Sequence, residues 1–120
     1  MLLNKTAARI ARHERIRGKV SGNTERPRLV VYRSLKNFYV QVVDDLKHKT
    51  LFSLSTQDKS FKEKFPYGGN VKAAQFLGEV FAKKVIEKGI KKIIFDRAGY
   101  AYHGRVKAFG ESLRKGGLEF

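Results

Sequence analysis

If the protein cleaved phosphodiester bonds with a metal ion, three aspartates would be the first candidates to bind that metal. Asp44 and Asp45 close one predicted strand and Asp96 closes another, and carboxylates on neighbouring strands can hold Mg²⁺ for phosphoryl chemistry. Adjacent residues of a strand point to opposite faces, however, and acids are common in the turns that follow strands. A structural role is therefore favoured for Asp44 and Asp45. Asp96 is the stronger candidate ligand, although it could instead orient a basic neighbour such as Arg97 or Arg105.

Other reaction chemistries find little support in the sequence. There are no cysteines, which excludes thiolate metal sites and cysteine nucleophiles. His13, His48 and His103 have no zinc-binding spacing, and no nucleophile elbow or P-loop motif is present. Residues 68–70 (Gly-Gly-Asn) precede a predicted helix and could cradle a phosphate, but a plain helix-entry turn explains them about as well. We therefore predict no catalytic site, no metal site and no cofactor.

The strongest functional pattern lies in residues 96–107, where cations alternate with aromatic rings. Cations neutralise phosphates, and aromatic rings stack on unpaired bases. Gly99 and Gly104 would allow a close approach or a sharp turn, and one of the two tyrosines is expected to pack in the core. The predicted RNA-binding residues of this loop are Arg97, Tyr100, Tyr102, His103, Gly104, Arg105 and Lys107.

Residues 1–26 form a basic arm with too few large apolar residues to fold alone. Basic and apolar residues recur at helical spacing, so we expect an arm that is helical in part or only on RNA, and mobile in the free protein. A frayed, solvated helix and a transit peptide are the alternatives. The predicted RNA-binding residues of the arm are Lys5, Arg9, Arg12, Arg15, Arg17 and Lys19.

A second group of basic and aromatic residues follows the arm. Solvated charges are the default interpretation of cations beside a hairpin turn, but joint use with the arm on RNA becomes plausible because the arm ends just upstream. The members of this group are Arg26, Arg28, Arg33, Lys36, Asn37 and Tyr39.

The net charge narrows the class of partner. Twenty-six basic residues against eleven acidic ones give a formal charge of +15, and a folded body this basic repels itself unless an anion neutralises it. The basic residues occur along the whole chain and not in one cluster beside an apolar span, which favours nucleic acid over a membrane surface. No apolar run approaches the length of a membrane helix.

The elements that must position these residues follow the order β-β-β-α-β-α. We predict strands at 28–34, 38–44, 50–56 and 91–96 and helices at 71–88 and 103–115. Phe38, Val40 and Val42 should share the core face, while Tyr39 and Gln41 should share a partly wet face. The prediction is an α/β fold, with a mixed four-stranded sheet packed with two helices in residues 27–120 and the basic arm before it. Whether the helices form one layer or two stays open.

The chain resembles one known family, the bacterial large-subunit ribosomal protein L-eighteen. The resemblance lies in residues 25–45 (ERPRLVVYRSLKNFYVQVVDD), 68–79 (GGNVKAAQFLGE) and 89–120 (GIKKIIFDRAGYAYHGRVKAFGESLRKGGLEF), and the arm is similar to the N-terminus of that family. The pattern FDR-G-Y-YHGRVKA is its most specific part. Residues 57–67 carry no resemblance. The Ala98-Gly99 pair departs from the family pattern, in which a glycine often comes directly before the second residue of this pair.

The resemblance implies a structural ribosomal protein, neither an enzyme nor a cofactor-binding protein. Such a protein binds 5S rRNA, helps attach it to the large-subunit (23S-type) rRNA beside neighbouring proteins of the central protuberance, works on the cytoplasmic ribosome, and is a monomer when free. A metal-dependent nuclease using Asp96 and Asp44 and a basic DNA-binding module are the alternatives. Beyond the arm arginines and the 97–107 loop, the resemblance implies RNA contacts at Arg33, Ser34, Lys36, Asn37, Tyr39, Gln41, Gly69 and Asn70.

Overall fold

The computed structural model of the protein describes residues 5–19, 21–65 and 67–120, without the side chains of Lys5 and Ser60. The predicted order of elements is confirmed. One short helix in the segment before residue 71 was not predicted, and part of the arm is helical. The elements are α1 (Lys5–Arg17), β1 (Arg28–Arg33), β2 (Phe38–Asp44), β3 (Lys49–Ser55), α2 (Lys59–Lys62), α3 (Val71–Glu87), β4 (Ile94–Asp96) and α4 (Gly104–Lys115).

The four strands form one mixed sheet, as predicted, and their order is β3-β2-β1-β4. Strands β1, β2 and β3 make an antiparallel meander, and β4 returns through α3 to pair in parallel with β1. Strand β4 is shorter than predicted because Lys92 pairs with Glu119 and the Ile93 amide donates to the Glu119 carbonyl. This parallel pairing brings Asp96 beside Val30.

The core lies on one face of this sheet. Phe38, Val40 and Val42 are fully buried there, as predicted, and Leu29 and Val31 of β1 lie opposite them. Both α3 and α4 pack on this face in a single layer, with ring contacts such as Phe38 on Phe109. The helix residues buried in the same core include Ala74, Leu77, Phe81, Val85, Val106, Phe109 and Leu113.

Small residues let α3 and α4 approach closely. A Cβ on Gly78 would lie 2.6 Å from the Ser112 Cβ, and a Cβ on Gly116 would lie 2.5 Å from the Ala82 Cβ. The α3–α4 contact is accordingly the most extensive between any two elements of the described chain. The helix pair is therefore a rigid support for the loop that precedes α4.

Helix α1 lies against the opposite face of the sheet, at its β1–β4 side. The His13 ring meets the Tyr32 ring edge-on at 6.5 Å, and its Nε2 lies 2.9 Å from an Asp96 oxygen. Val30, on this face, is buried. The sequence composition separates residues 1–26 from residues 27–120. In the structure, however, α1 contacts the domain of residues 27–120 directly.

Candidate nucleic-acid interface

Four arginines from three distant parts of the chain line one cleft of about 830 Å³. Arg9 and Arg12 come from α1, Arg33 ends β1, and Arg105 stands in the first turn of α4. Tyr100 of the intervening loop lies among them. We call these five residues the guanidinium cluster. Like charges converge here without an acidic residue in the lining, and this arrangement suits an anion.

Tyr100 holds two of these arginines in place. The guanidinium carbons of Arg9 and Arg33 lie over its ring, 4.6 and 4.9 Å from the centroid, at cation–π distance. The phenol also donates to the Arg33 carbonyl and accepts from the Arg33 amide, both at 3.2 Å. Because two cations already lie on the ring, Tyr100 positions guanidinium groups, and its own RNA contact stays a prediction.

Arg105 has an unmet hydrogen-bonding group. Its Nη1 atom is buried and finds no hydrogen-bond partner in the described part of the protein. Burial, and next the positive charge of Arg33, lower the pKa of Arg105. An anion in the cleft would supply both the missing acceptor and the missing charge.

The arm is fixed to the loop through backbone carbonyls. Arg9 Nη1 donates to the Ala98 carbonyl at 2.9 Å, and Arg12 Nε donates to the Gly99 carbonyl at 3.1 Å. Gly99 has φ +82°, and a Cβ there would lie 2.4 Å from the Arg9 carbonyl oxygen and 3.1 Å from the His13 nitrogen. Glycine at this position therefore allows α1 to approach the loop.

Beneath the cluster lies an internal ion-pair network centred on Arg28. Its guanidinium donates to Asp96 at 2.8 Å and to Asp45 at 3.0 Å, and only 9% of the residue is exposed. His13 bonds to the same Asp96 oxygen, and the Gly22 amide donates to Asp45 at 2.6 Å. This network joins α1, the segment after it and two strand ends, and it occupies the Arg28 guanidinium internally.

The carboxylates of this network are held in the charged form. Burial opposes the charge on Asp96, but hydrogen bonds from His13, the Ala98 amide and Arg28 outweigh it and lower the Asp96 pKa. Burial likewise opposes the charge on Asp45, and bonds from Arg28 and the Gly22 amide lower the Asp45 pKa. Both groups are therefore stabilised as anions by the protein itself.

These contacts decide between the two roles considered for Asp96. It orients a basic neighbour, but that neighbour is Arg28 and not Arg97 or Arg105. Asp44 accepts from Thr24 at 2.8 Å and from the Leu46 amide. Among the described residues, no group of three histidine or acidic side chains is placed to hold a metal ion.

Several other predicted RNA contacts take part in local structure. The Asn70 side chain accepts from the Ala73 amide at 2.8 Å and caps α3. Asn37 accepts from the Thr56 hydroxyl, and the Ser34 hydroxyl accepts from the Asn37 amide. Arg17 lies 3.5 Å from Asp45. RNA contacts by these residues stay predictions. Such contacts are compatible with the bonds described here only where a side chain can make a further hydrogen bond.

The remaining predicted residues lie at the surface or in shallow depressions. Tyr39 and Gln41 share the open face of the sheet, and Arg26 and Arg97 line a separate depression of about 530 Å³. The Lys5 side chain lies outside the described residues. Gly69 is partly buried, and Gly104 opens α4 with φ +56°. The exposed residues are Arg15, Lys19, Lys36, His103 and Lys107.

Tyr102 is the tyrosine of the loop that packs into the protein. It meets Phe95 edge-on, and a Cβ on Gly110 would lie 2.9 Å from its hydroxyl. That hydroxyl is buried without a partner in the described structure. The expectation that one of the two tyrosines packs inward is met by Tyr102.

The fold and the cleft define a class: a basic α/β protein whose arm, hairpin turn and loop converge on one cationic cleft. No helix of the described chain is long and apolar enough to cross a membrane. The family model for ribosomal L18 of archaea, bacteria, mitochondria and chloroplast matches residues 3–120. The chain therefore belongs to the ribosomal L18 family, as its motifs predicted.

Two relatives illustrate this membership. Large ribosomal subunit protein uL18 of Pelotomaculum thermopropionicum is 55% identical over 98% of this chain and 96% of its own length. Large ribosomal subunit protein uL18c of Oryza sativa subsp. japonica is 55% identical over 95% of this chain and 68% of its own length. The chain is thus a constituent of the large ribosomal subunit, located on the cytoplasmic ribosome, and is a structural protein rather than an enzyme.

Proposed function

We propose that the protein binds 5S rRNA and helps attach it to the 23S-type rRNA in the central protuberance, beside neighbouring ribosomal proteins. Family membership supports the ribosomal role, and the resemblance of the loop pattern supports the 5S partner. The observation that carries the proposal is the unpaired, buried Nη1 of Arg105 within the guanidinium cluster. A phosphate oxygen is the acceptor that fits such a group.

The proposed RNA-binding surface includes the four arginines of the cluster and excludes Arg28. A guanidinium that already bridges Asp45 and Asp96 cannot reach an external phosphate without breaking both pairs. Tyr100 contributes by positioning Arg9 and Arg33. Exposed arm residues such as Arg15 add general attraction along the RNA backbone.

The experiment that tests this function compares three ligands of similar length at one salt concentration. Fluorescence anisotropy should give the tightest binding for 5S rRNA, weaker binding for an unrelated structured RNA, and weak binding for duplex DNA. Equal affinity for all three would reduce the protein to a general polyanion binder and would contradict the proposal. A preference for duplex DNA would favour the DNA-binding alternative.

A further inference from the structure

Tyr67 presents an open aromatic ring beside the guanidinium cluster. The residue is 50% exposed, and Gly69 beside it packs against the carbonyl of Leu35, which lines the cleft. It belongs to the segment 57–67, in which the sequence motifs indicated no function. The ring of Tyr100 already carries two guanidinium groups, and the hydroxyl of Tyr102 is buried against Gly110. Tyr67 is therefore available for stacking in a way that these two tyrosines are not.

Two glycines fix the place of Tyr67. A Cβ on Gly68 would lie 2.5 Å from the Thr56 side chain, and a Cβ on Gly69 would lie 2.6 Å from the Leu35 carbonyl oxygen and 2.7 Å from the Tyr67 hydroxyl. Residues 67–69 therefore press against the β1–β2 turn. The Gly-Gly pair serves this close approach, which sets Tyr67 next to Leu35.

Leu35, in the turn that residues 67–69 contact, brings a second exposed apolar side chain to the cleft. It stands in the β1–β2 turn, is 81% exposed, and lines the cleft together with Arg33 and Arg105. An isolated exposed leucine needs no explanation. Here an exposed leucine and an exposed tyrosine lie close to each other at the rim of a cationic cleft, where guanidinium groups border them.

We propose that Tyr67, with Leu35 beside it, stacks on an unpaired RNA base whose flanking phosphates lie in the guanidinium cluster. A cationic groove next to an aromatic ring is the combination that binds single-stranded nucleotides, and bulged or looped bases are what proteins recognise in RNA. The four positive charges favour RNA over a protein partner. This inference rests on the proposed function and specifies the feature recognised, an unstacked nucleotide.

The chain contains no tryptophan, which makes a direct optical test possible. In Tyr67→Trp the introduced indole is the sole tryptophan, and 5S rRNA should quench its fluorescence as a base stacks on it. The matched control is Leu46→Trp. Leu46 is also exposed, at 71%, but lies in the β2–β3 turn at the opposite end of the sheet. Its fluorescence should change little on binding.

Affinity provides the second readout. Tyr67→Ala should weaken 5S rRNA binding about tenfold, the effect of losing one stacked base, while Tyr67→Phe should stay within about twofold. Thermal unfolding should be nearly unchanged in both, since the ring is half exposed. Wild-type affinity in Tyr67→Ala, or an unquenched Tyr67→Trp in a bound complex, would overturn the inference. If wild-type protein shows no preference for 5S rRNA but Tyr67→Trp is quenched by any RNA with unpaired bases, the proposed function fails and the stacking role survives.

Discussion

A buried guanidinium nitrogen without a partner is costly, because it has lost water without gaining a protein acceptor. Arg105 carries such an atom, and the neighbouring Arg33 raises the electrostatic cost further. The surrounding fold tolerates this arrangement in the free protein. A bound phosphate would accept a hydrogen bond from this nitrogen and would remove the unfavourable term. The free energy of binding would become more favourable by the same amount.

Replacing Arg105 by lysine should therefore weaken 5S rRNA binding by about 1–2 kcal/mol, the value of a lost charge-assisted hydrogen bond. Lysine keeps the charge but lacks the planar fork of donors. Binding to an unrelated RNA should change little. Anisotropy titrations with both RNAs at one salt concentration measure the two effects.

The matched control is Arg15→Lys, on the exposed side of α1. This change should affect both RNAs alike and weakly, because an exposed cation there contributes charge without shape. If Arg105→Lys lowered both affinities equally, the cleft would be a general charged surface and the assignment of Arg105 would be wrong.

The buried bonds of Asp96 mainly stabilise the folded protein against unfolding. Changing Asp96 to Asn should lower the free energy of unfolding by about 2–3 kcal/mol. This is less than the roughly 3–5 kcal/mol for breaking a buried pair, since Arg28 keeps Asp45. Urea unfolding at pH 7 measures the loss. The exposed Glu111→Gln is the control, with an expected change within about 0.5 kcal/mol. A stable Asp96→Asn variant would show that the network is dispensable.

The lowered pKa values of Asp45 and Asp96 predict acid sensitivity. A carboxyl group whose pKa is lower in the folded than in the unfolded protein stabilises the fold fully above its ordinary pKa of 3.8. That stabilisation is lost as the pH falls through 3.8 towards the folded-state values. Thermal unfolding temperature should therefore drop below about pH 4, and Asp96→Asn should show a shallower drop. An equal drop in both proteins would exclude Asp96 as a source.

Residue types predicted part of this site. The place of Arg105 in the site and the inward tyrosine followed from composition and spacing. Arg28 was assigned to RNA because its acidic partners lie 17 and 68 residues away in sequence. The Asp45 pair forms when β2 folds back antiparallel on β1, and the Asp96 pair forms when β4 joins β1 in parallel. Tyr67 was missed for the same reason, since its position depends on Gly68 and Gly69 packing against a distant turn.

At the scale of elements, the contact between α1 and the loop before α4 turns two separate basic segments into one surface. Arg9 and Arg12 bond to loop carbonyls, and His13 bonds to Asp96. The mobility of the arm in the free protein stays a prediction. Because Arg9 and Arg12 belong to α1, any release of α1 also separates these two arginines from Arg33 and Arg105.

Gly99→Ala should release α1. The added Cβ would overlap the Arg9 carbonyl at 2.4 Å, and φ +82° costs a side-chain-bearing residue about 1–2 kcal/mol. Amide hydrogen exchange should show reduced protection for residues 9–17, and 5S rRNA affinity should fall. Gly89→Ala is a useful control, because its φ is also positive but its Cβ would meet nothing within 4 Å. Normal α1 protection in Gly99→Ala would show that the contact is absent in solution.

The longer elements were predictable from periodicity, and their ends were accurate within a few residues. Period-two burial in β2 and helical burial in α3 match the core faces. The four-residue helix α2 was missed because it spans little more than one turn, too short for a repeating pattern to show. The single helical layer also could not be derived, since it depends on the close α3–α4 contact at Gly78 and Gly116.

At the scale of the whole molecule, a net charge of +15 must be neutralised on assembly. Each engaged phosphate contributes about −0.7 to −0.9 to the slope of log K against log salt. With the four cluster arginines and the arm engaged, the slope for 5S rRNA should exceed about 4 in magnitude. Titrations between low and moderate salt measure it. A nearly flat dependence would exclude nucleic acid as the partner.

Gly99 in the loop and Gly110 in α4 both pack closely against neighbouring atoms, and this packing also limits which substitutions the sequence can accept. The two nearest neighbours of Gly99 are backbone atoms of α1, which every residue type at positions 9 and 13 possesses. No second substitution there can therefore compensate for a larger residue at position 99. The neighbour of Gly110 is the Tyr102 ring, which a second substitution can shrink. In a library selected for 5S rRNA binding, position 99 should therefore stay glycine, whereas alanine at 110 should survive mainly in clones where 102 is smaller. Independent variation of 102 and 110 would refute this coupling.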